Sequence, residues 1–107
     1  MTTKTLYPWM VALLLATGAQ AQELPAKALR SMAAACANCH GTGGAAREGV
    51  PALAGRDRER MLSRLLEYKT DRREATVMHQ LAKAYSDDEL RQLAAYFAAQ
   101  PRAGAGS

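Results

Sequence analysis

Two cysteines and a histidine stand within five consecutive residues, Cys36-Ala37-Asn38-Cys39-His40. They form a C-x-x-C-H motif, which is the attachment signal for haem c. Thiols at positions i and i+3 lie on one face of a helix end, so both can bond to one edge of a porphyrin. The histidine that follows can offer an imidazole nitrogen to the iron. The motif therefore predicts that Cys36 and Cys39 hold haem c and that His40 ligates its iron.

Three other kinds of site use two cysteines at this spacing. A thioredoxin-like redox pair needs a βαβ setting, and the sequence has no useful stretch of period-2 alternation. A zinc site needs four ligands, and only His40 and His79 are available beside the two cysteines. A simple disulfide is the third alternative. The colour of the protein separates all three from a haem protein.

The first 21 residues have the pattern of a secretory signal peptide. They contain one basic residue, Lys4, then an apolar run over residues 9–16, and end in Ala19-Gln20-Ala21. This order matches the three regions of a cleavable leader. The apolar run is shorter than the roughly 20 residues of a membrane span. We therefore expect export to the periplasm and no membrane attachment after cleavage, with an uncleaved anchor as the alternative.

Removing residues 1–21 from the 107 leaves 86, which predicts one domain over residues 22–107 with a flexible tail at 100–107. The net charge of the whole chain is +4. Its basic residues form no block with interleaved aromatic residues. We therefore expect no nucleic-acid partner.

The apolar periodicity predicts an all-α fold with three main helices, over residues 27–37, 58–69 and 87–99. Asp57 is a suitable N-cap for the second helix, and Ser86 with Glu89 forms a capping box for the third. Residues 22–26 are expected to be a frayed lead-in. Glycine and proline predict an irregular loop at 41–55. A short apolar stretch at 75–84 allows one further short helix.

A haem used for electron transfer usually has a second axial ligand, Met or His. Met32 lies too close to Cys36 on the attachment helix to reach the opposite face of the haem. Met61 belongs to the apolar stripe of the second helix, which favours a core position. Met78 follows His40 by 38 residues, which is enough chain to return on the other side. The sequence predicts Met78 as the sixth ligand. His79 is the rival ligand and is otherwise expected at the surface or beside the site.

The chain resembles the class I c-type cytochromes, and most of all the cytochrome subunit of flavocytochrome c sulfide dehydrogenase and the halves of two-haem periplasmic cytochromes. The matching stretches are residues 36–44, 50–55, 76–79 and 82–100. The resemblance implies one haem c per chain with His40 proximal and Met78 distal. It also implies that the carbonyl of Pro51 accepts a hydrogen bond from His40. The first and last helices would cross with Ala28 and Met32 against Leu93, Tyr96 and Phe97.

These expectations define a periplasmic electron-transfer protein that exchanges single electrons with redox protein partners and is not an enzyme by itself. One alternative is a cytochrome subunit bound to a flavoprotein sulfide dehydrogenase in sulfur oxidation. Another is a haem sensor in which Met78 does not bind and the sixth position is open.

The haem-free chain is expected to be largely unfolded. Chains of this size bury only about 60–65% of their unfolded surface, and aromatic residues make up only 6% of the sequence. Circular dichroism of the haem-free protein should show little helix and no cooperative melting transition. A native-like cooperative transition would contradict this prediction.

Overall fold

A computed structural model describes residues 22–102 of the chain as four α-helices joined by loops. The helices are α1 (Ala26–His40), α2 (Arg58–Lys69), α3 (Met78–Lys83) and α4 (Asp87–Ala98). Thr42–Gly44 form a single 3-10 turn, and an isolated bridge between Arg47 and Val50 is the one extended pairing within the described range. The all-α prediction is confirmed. The predicted signal peptide at 1–21 and the tail beyond residue 102 lie outside the described residues.

The capping residues predicted from the sequence start α2 and α4. The Asp57 carboxylate accepts a hydrogen bond from the backbone N–H of Arg60 at 2.7 Å. At α4, the backbone N–H of Glu89 donates to Ser86 Oγ at 3.1 Å, and the backbone N–H of Ser86 donates to the Glu89 carboxylate at 2.9 Å. Each bond satisfies a backbone donor that the helix itself leaves unpaired. The bounds of α2 are as predicted, and α4 ends one residue early, at Ala98.

The first helix is longer than the predicted range of 27–37. It begins at Ala26 and continues through the whole C-x-x-C-H motif to His40. Gly41 ends it, because its φ of +89° lies outside the right-handed helical region. The prediction ended the helix too early because it placed the boundary at the motif, whereas the first residue that breaks the helical conformation is the glycine after it.

The core forms where α4 packs against α1 and α2. Leu90, Leu93 and Phe97 of α4 share one buried cluster with Ala33 of α1 and Met61 of α2. Met61 therefore packs in the core, as its place in the apolar stripe predicts.

The expected crossing of the first and last helices is present, but its small residues differ from the expectation. Ala33 and Ala94 are the buried alanines of the cluster, with Ala94 fully buried, whereas Ala28 is only half-buried. Met32 and Tyr96 lie at the edge of the cluster. A side chain no larger than a methyl group lets two helices approach closely. The positions that allow this approach are therefore 33 and 94.

Both ends of the described segment are tied to the fold. The backbone N–H of Leu24 donates to the side-chain oxygen of buried Gln92 at 2.8 Å, and Gln92 Nε2 donates to the carbonyl of Gln22 at 3.1 Å. The expectation of a frayed lead-in is therefore wrong. At the other end, the Arg102 guanidinium donates twice to the carbonyl of Gly55 at 3.1 Å. None of the helices between residues 22 and 102 is both long and apolar enough to cross a bilayer.

Candidate haem site

The last turn of α1 presents the three side chains of the motif in different surroundings. His40 is buried, Cys36 is half-buried at the edge of the core, and Cys39 is exposed. Both cysteines are free thiols. The i and i+3 spacing places the two sulfur atoms on neighbouring positions of one helical face. The helix end therefore offers two thiols and one enclosed imidazole within a single turn.

The His40 ring is held by one short hydrogen bond. Its Nδ1 lies 2.6 Å from the carbonyl oxygen of Pro51. A carbonyl can only accept, so Nδ1 carries the proton and the neutral ring has its free lone pair on Nε2. A metal-binding histidine is usually oriented by such a bond from its other nitrogen. The hydrogen bond that the family resemblance implies is present, and the tautomer it selects fits an iron ligand.

Residues 46–51 fold back over the end of α1, and we call this segment the clasp. The backbone N–H of Ala46 donates to the His40 carbonyl at 2.7 Å, and Arg47 Nη1 donates to the Asn38 carbonyl at 2.6 Å. With the bond from His40 to Pro51, the clasp makes three hydrogen bonds to the motif. Two of them satisfy carbonyls that a helix end leaves unpaired.

Gly41 is the residue that lets the clasp approach. A Cβ atom built on Gly41 would lie 2.6 Å from the carbonyl oxygen of Ala46, which is a steric clash with backbone. Ala46 itself has a φ of +102°, a strained conformation for alanine. The strain is retained because the Ala46 N–H is bonded to His40. The tight contact between helix end and clasp thus needs a residue without a side chain at position 41.

The surroundings of the two cysteines argue against a thioredoxin-like redox pair and against a zinc site. Burial raises the pKa of the Cys36 thiol, whereas redox-active C-x-x-C pairs have lowered thiol pKa values. Between residues 22 and 102 there is no group of three His, Cys, Asp or Glu side chains that could hold a metal ion. The donors that are present, two thiols and one imidazole, match haem attachment.

Met78 and His79 lie on a separate element from the motif. Met78 is half-buried at the first position of α3, which packs against α2. Lys83, at the end of α3, donates to both carboxylate oxygens of Asp71 at 2.7 and 2.8 Å. This ion pair ties α3 to the loop that precedes it. The structure therefore brings His40 and Pro51 into contact and carries Met78 on a short helix anchored from two sides.

His79 is half-buried, and its Nδ1 is a buried polar atom without a hydrogen-bond partner among the described residues. It lies beside the loop residues 71–75.

The sequence reasoning did not single out Arg47 or Ala46. Both contact the motif through hydrogen bonds to main-chain carbonyls, and such bonds leave no residue-type pattern. The one available signal was Gly41 directly after His40, since glycine there marks a close approach of another chain segment.

An all-helical fold in which a helix ends in C-x-x-C-H, with its histidine oriented by a backbone carbonyl, defines a class I c-type cytochrome domain. The chain belongs to the family described as "Cytochrome C oxidase, cbb3-type, subunit III", whose model matches residues 23–97. It is therefore a cytochrome c domain that carries electrons and uses haem c.

Two proteins similar to this chain are named for sulfide and thiosulfate dehydrogenases. The chain is 37% identical over 62 residues to the cytochrome subunit of sulfide dehydrogenase from Chlorobaculum tepidum, covering 58% of this chain and 56% of that protein. The structure resembles a thiosulfate dehydrogenase from Marichromatium purpuratum with a TM-score of 0.69 and 33% identity, covering 79% of this chain and 21% of that one. The chain thus spans about half of the first relative and a fifth of the second.

Replacing Gly41 by alanine should destabilise the haem-loaded protein more than replacing Gly43. Both glycines have positive φ values, +89° and +62°, so each replacement costs about 1 kcal/mol or more in backbone strain. Only at Gly41 does the new Cβ meet backbone, because nothing lies within 4 Å at Gly43. Denaturant unfolding should therefore show a larger loss for G41A, and equal losses would contradict the steric role of Gly41.

Proposed function

We propose that residues 22–107 form a periplasmic electron carrier with one haem c, held by Cys36 and Cys39 and ligated by His40 and Met78. The observation that carries the proposal is the hydrogen bond from His40 Nδ1 to the Pro51 carbonyl at the end of the C-x-x-C-H helix. That bond leaves Nε2 as the free donor nitrogen. Export of the mature domain rests on the leader pattern of residues 1–21.

Each proposed ligand has a distinct task. Haem c supplies an iron that alternates between Fe(III) and Fe(II). His40 offers the Nε2 lone pair, and its bond to Pro51 increases the basicity of that nitrogen. The Met78 thioether is a softer ligand that favours the reduced iron and so raises the potential. With His40 and Met78 both bound, the iron would have no free position for a substrate, and the domain would act as a carrier rather than as an enzyme.

Electron exchange with a partner protein is proposed to occur at the exposed side of the motif. Asn38, Cys39 and Thr42 are all exposed there, while His40 behind them is buried. Transient redox complexes use small contact areas. An exposed edge suits repeated short contacts with electron donors and acceptors.

A second candidate function is that of a subunit bound to the flavoprotein of a sulfide dehydrogenase. It is favoured by the 37% identity to the cytochrome subunit of such an enzyme and by the 33% identity to a thiosulfate dehydrogenase. Size-exclusion chromatography of native extract, followed by haem and flavin absorbance, separates the two. A free carrier elutes as a single small domain, whereas a subunit elutes together with flavin.

Covalent attachment through the motif predicts that acid–acetone does not extract the haem. The mass of protein exported by a host with haem-attachment machinery should equal residues 22–107 plus one haem. Cys36→Ala should retain at most one thioether bond and lose much of its stability, because the haem supplies part of the core. A mass of residues 22–107 alone from a competent host would refute the attachment and the proposed function.

Met78→Ala should open the sixth coordination position. We expect the loss of the charge-transfer band near 695 nm that the cytochrome resemblance implies for methionine ligation. We also expect a lower reduction potential and ready binding of cyanide or carbon monoxide. His79→Ala is the matched control from the same helical turn and should leave all three properties nearly unchanged.

The opposite result would assign the sixth ligand to His79 instead of Met78. If His79→Ala produced the spectral change and Met78→Ala did not, the iron would be bis-histidine and its potential lower. If the unmodified protein already bound carbon monoxide readily, the open-site sensor would replace the carrier.

A further inference from the structure

Arg47 donates a side-chain hydrogen bond to the backbone of the attachment motif. Its Nη1 lies 2.6 Å from the carbonyl oxygen of Asn38, between the two cysteines. Its backbone is fixed by the turn of the clasp, since the Val50 N–H donates to the Arg47 carbonyl at 2.9 Å. The guanidinium is therefore held against the motif from a restrained backbone position.

The charge of Arg47 is not neutralised by an ion pair within residues 22–102, although Glu48 is its neighbour in sequence. It lies at the carboxyl end of α1, where the helix dipole places partial negative charge. The strained residue Ala46 immediately precedes it and is bonded to His40. Retained strain needs compensation from its surroundings, and here the bonds of the clasp to the motif supply it.

We propose that Arg47 is a positioning residue that holds the attachment segment and adds a fixed positive charge favouring the reduced iron. This inference rests on the proposed function, because it needs haem on Cys36 and Cys39. Oxidation adds one positive charge to the iron, and a nearby fixed cation opposes that addition. The bond to Asn38 holds the exposed guanidinium against the motif and so keeps its charge close to the attachment segment.

The test compares three variants of the haem-loaded protein by spectroelectrochemistry at low ionic strength. Arg47→Gln removes the charge and keeps a hydrogen-bond donor, and Arg47→Lys keeps the charge. Arg64→Gln is the matched control, because Arg64 is exposed on α2 and forms no ion pair among the described residues. At one fixed applied potential, R47Q should lower the Fe(II)/Fe(III) ratio about threefold or more. R47K and Arg64→Gln should change it much less.

Raising the salt concentration supplies a second readout. The difference between R47Q and the unmodified protein should shrink, because an exposed cation is screened within about 10 Å at 0.1 M salt. Equal shifts for R47Q and Arg64→Gln would overturn the proposal, as would an R47K shift as large as that of R47Q. If the unmodified protein carried no covalent haem, the proposed function would fail as well. If the protein carried covalent haem and R47Q left the Fe(II)/Fe(III) ratio unchanged, only the role of Arg47 would be overturned.

Discussion

The hydrogen bond from His40 Nδ1 to the Pro51 carbonyl is the constraint on which the site depends. It joins residues eleven positions apart and so closes the loop between them onto the end of α1. Closing so short a loop requires a sharp turn away from the helix axis, and Gly41 makes that turn. The remaining bonds of the clasp are then within reach of the motif. The hydrogen bond at Nδ1 thus fixes the path of the chain after α1 and leaves Nε2 as the free nitrogen of His40.

The main contribution of the helices is to support this arrangement rather than to form the site. α4 contributes most of the buried cluster and contacts both α1 and α2. α3 is attached to α2 by packing and to the preceding loop by the exposed Asp71–Lys83 ion pair. Exposed ion pairs stabilise by only about 0–1 kcal/mol. The packing on α2 therefore holds the element that carries Met78 more than the ion pair does.

The sequence predicted most of the helical architecture because that architecture depends on local rules. The Asp57 cap and the Ser86–Glu89 capping box each act within four residues, and the apolar stripes of α2 and α4 have helical spacing. The C-x-x-C-H motif likewise indicates haem attachment from five consecutive residues. The contacts of Arg47, Ala46 and Gln92 could not be predicted, because each joins segments whose approach depends on the folded chain. The carboxyl end of α1 was placed too early because the boundary was set within the motif, whereas the helix ends at Gly41 after it.

Gln92 joins parts of the chain that are far apart in sequence. Its bonds to Leu24 and Gln22 span 68 and 70 residues. Contacts of such long separation form late, since most of the intervening chain must be ordered first. Synthesis runs from the amino terminus, so the motif in α1 emerges about 50 residues before Gln92. The two thiols are consequently presented on an open chain, accessible to modification, before the ends of the domain meet.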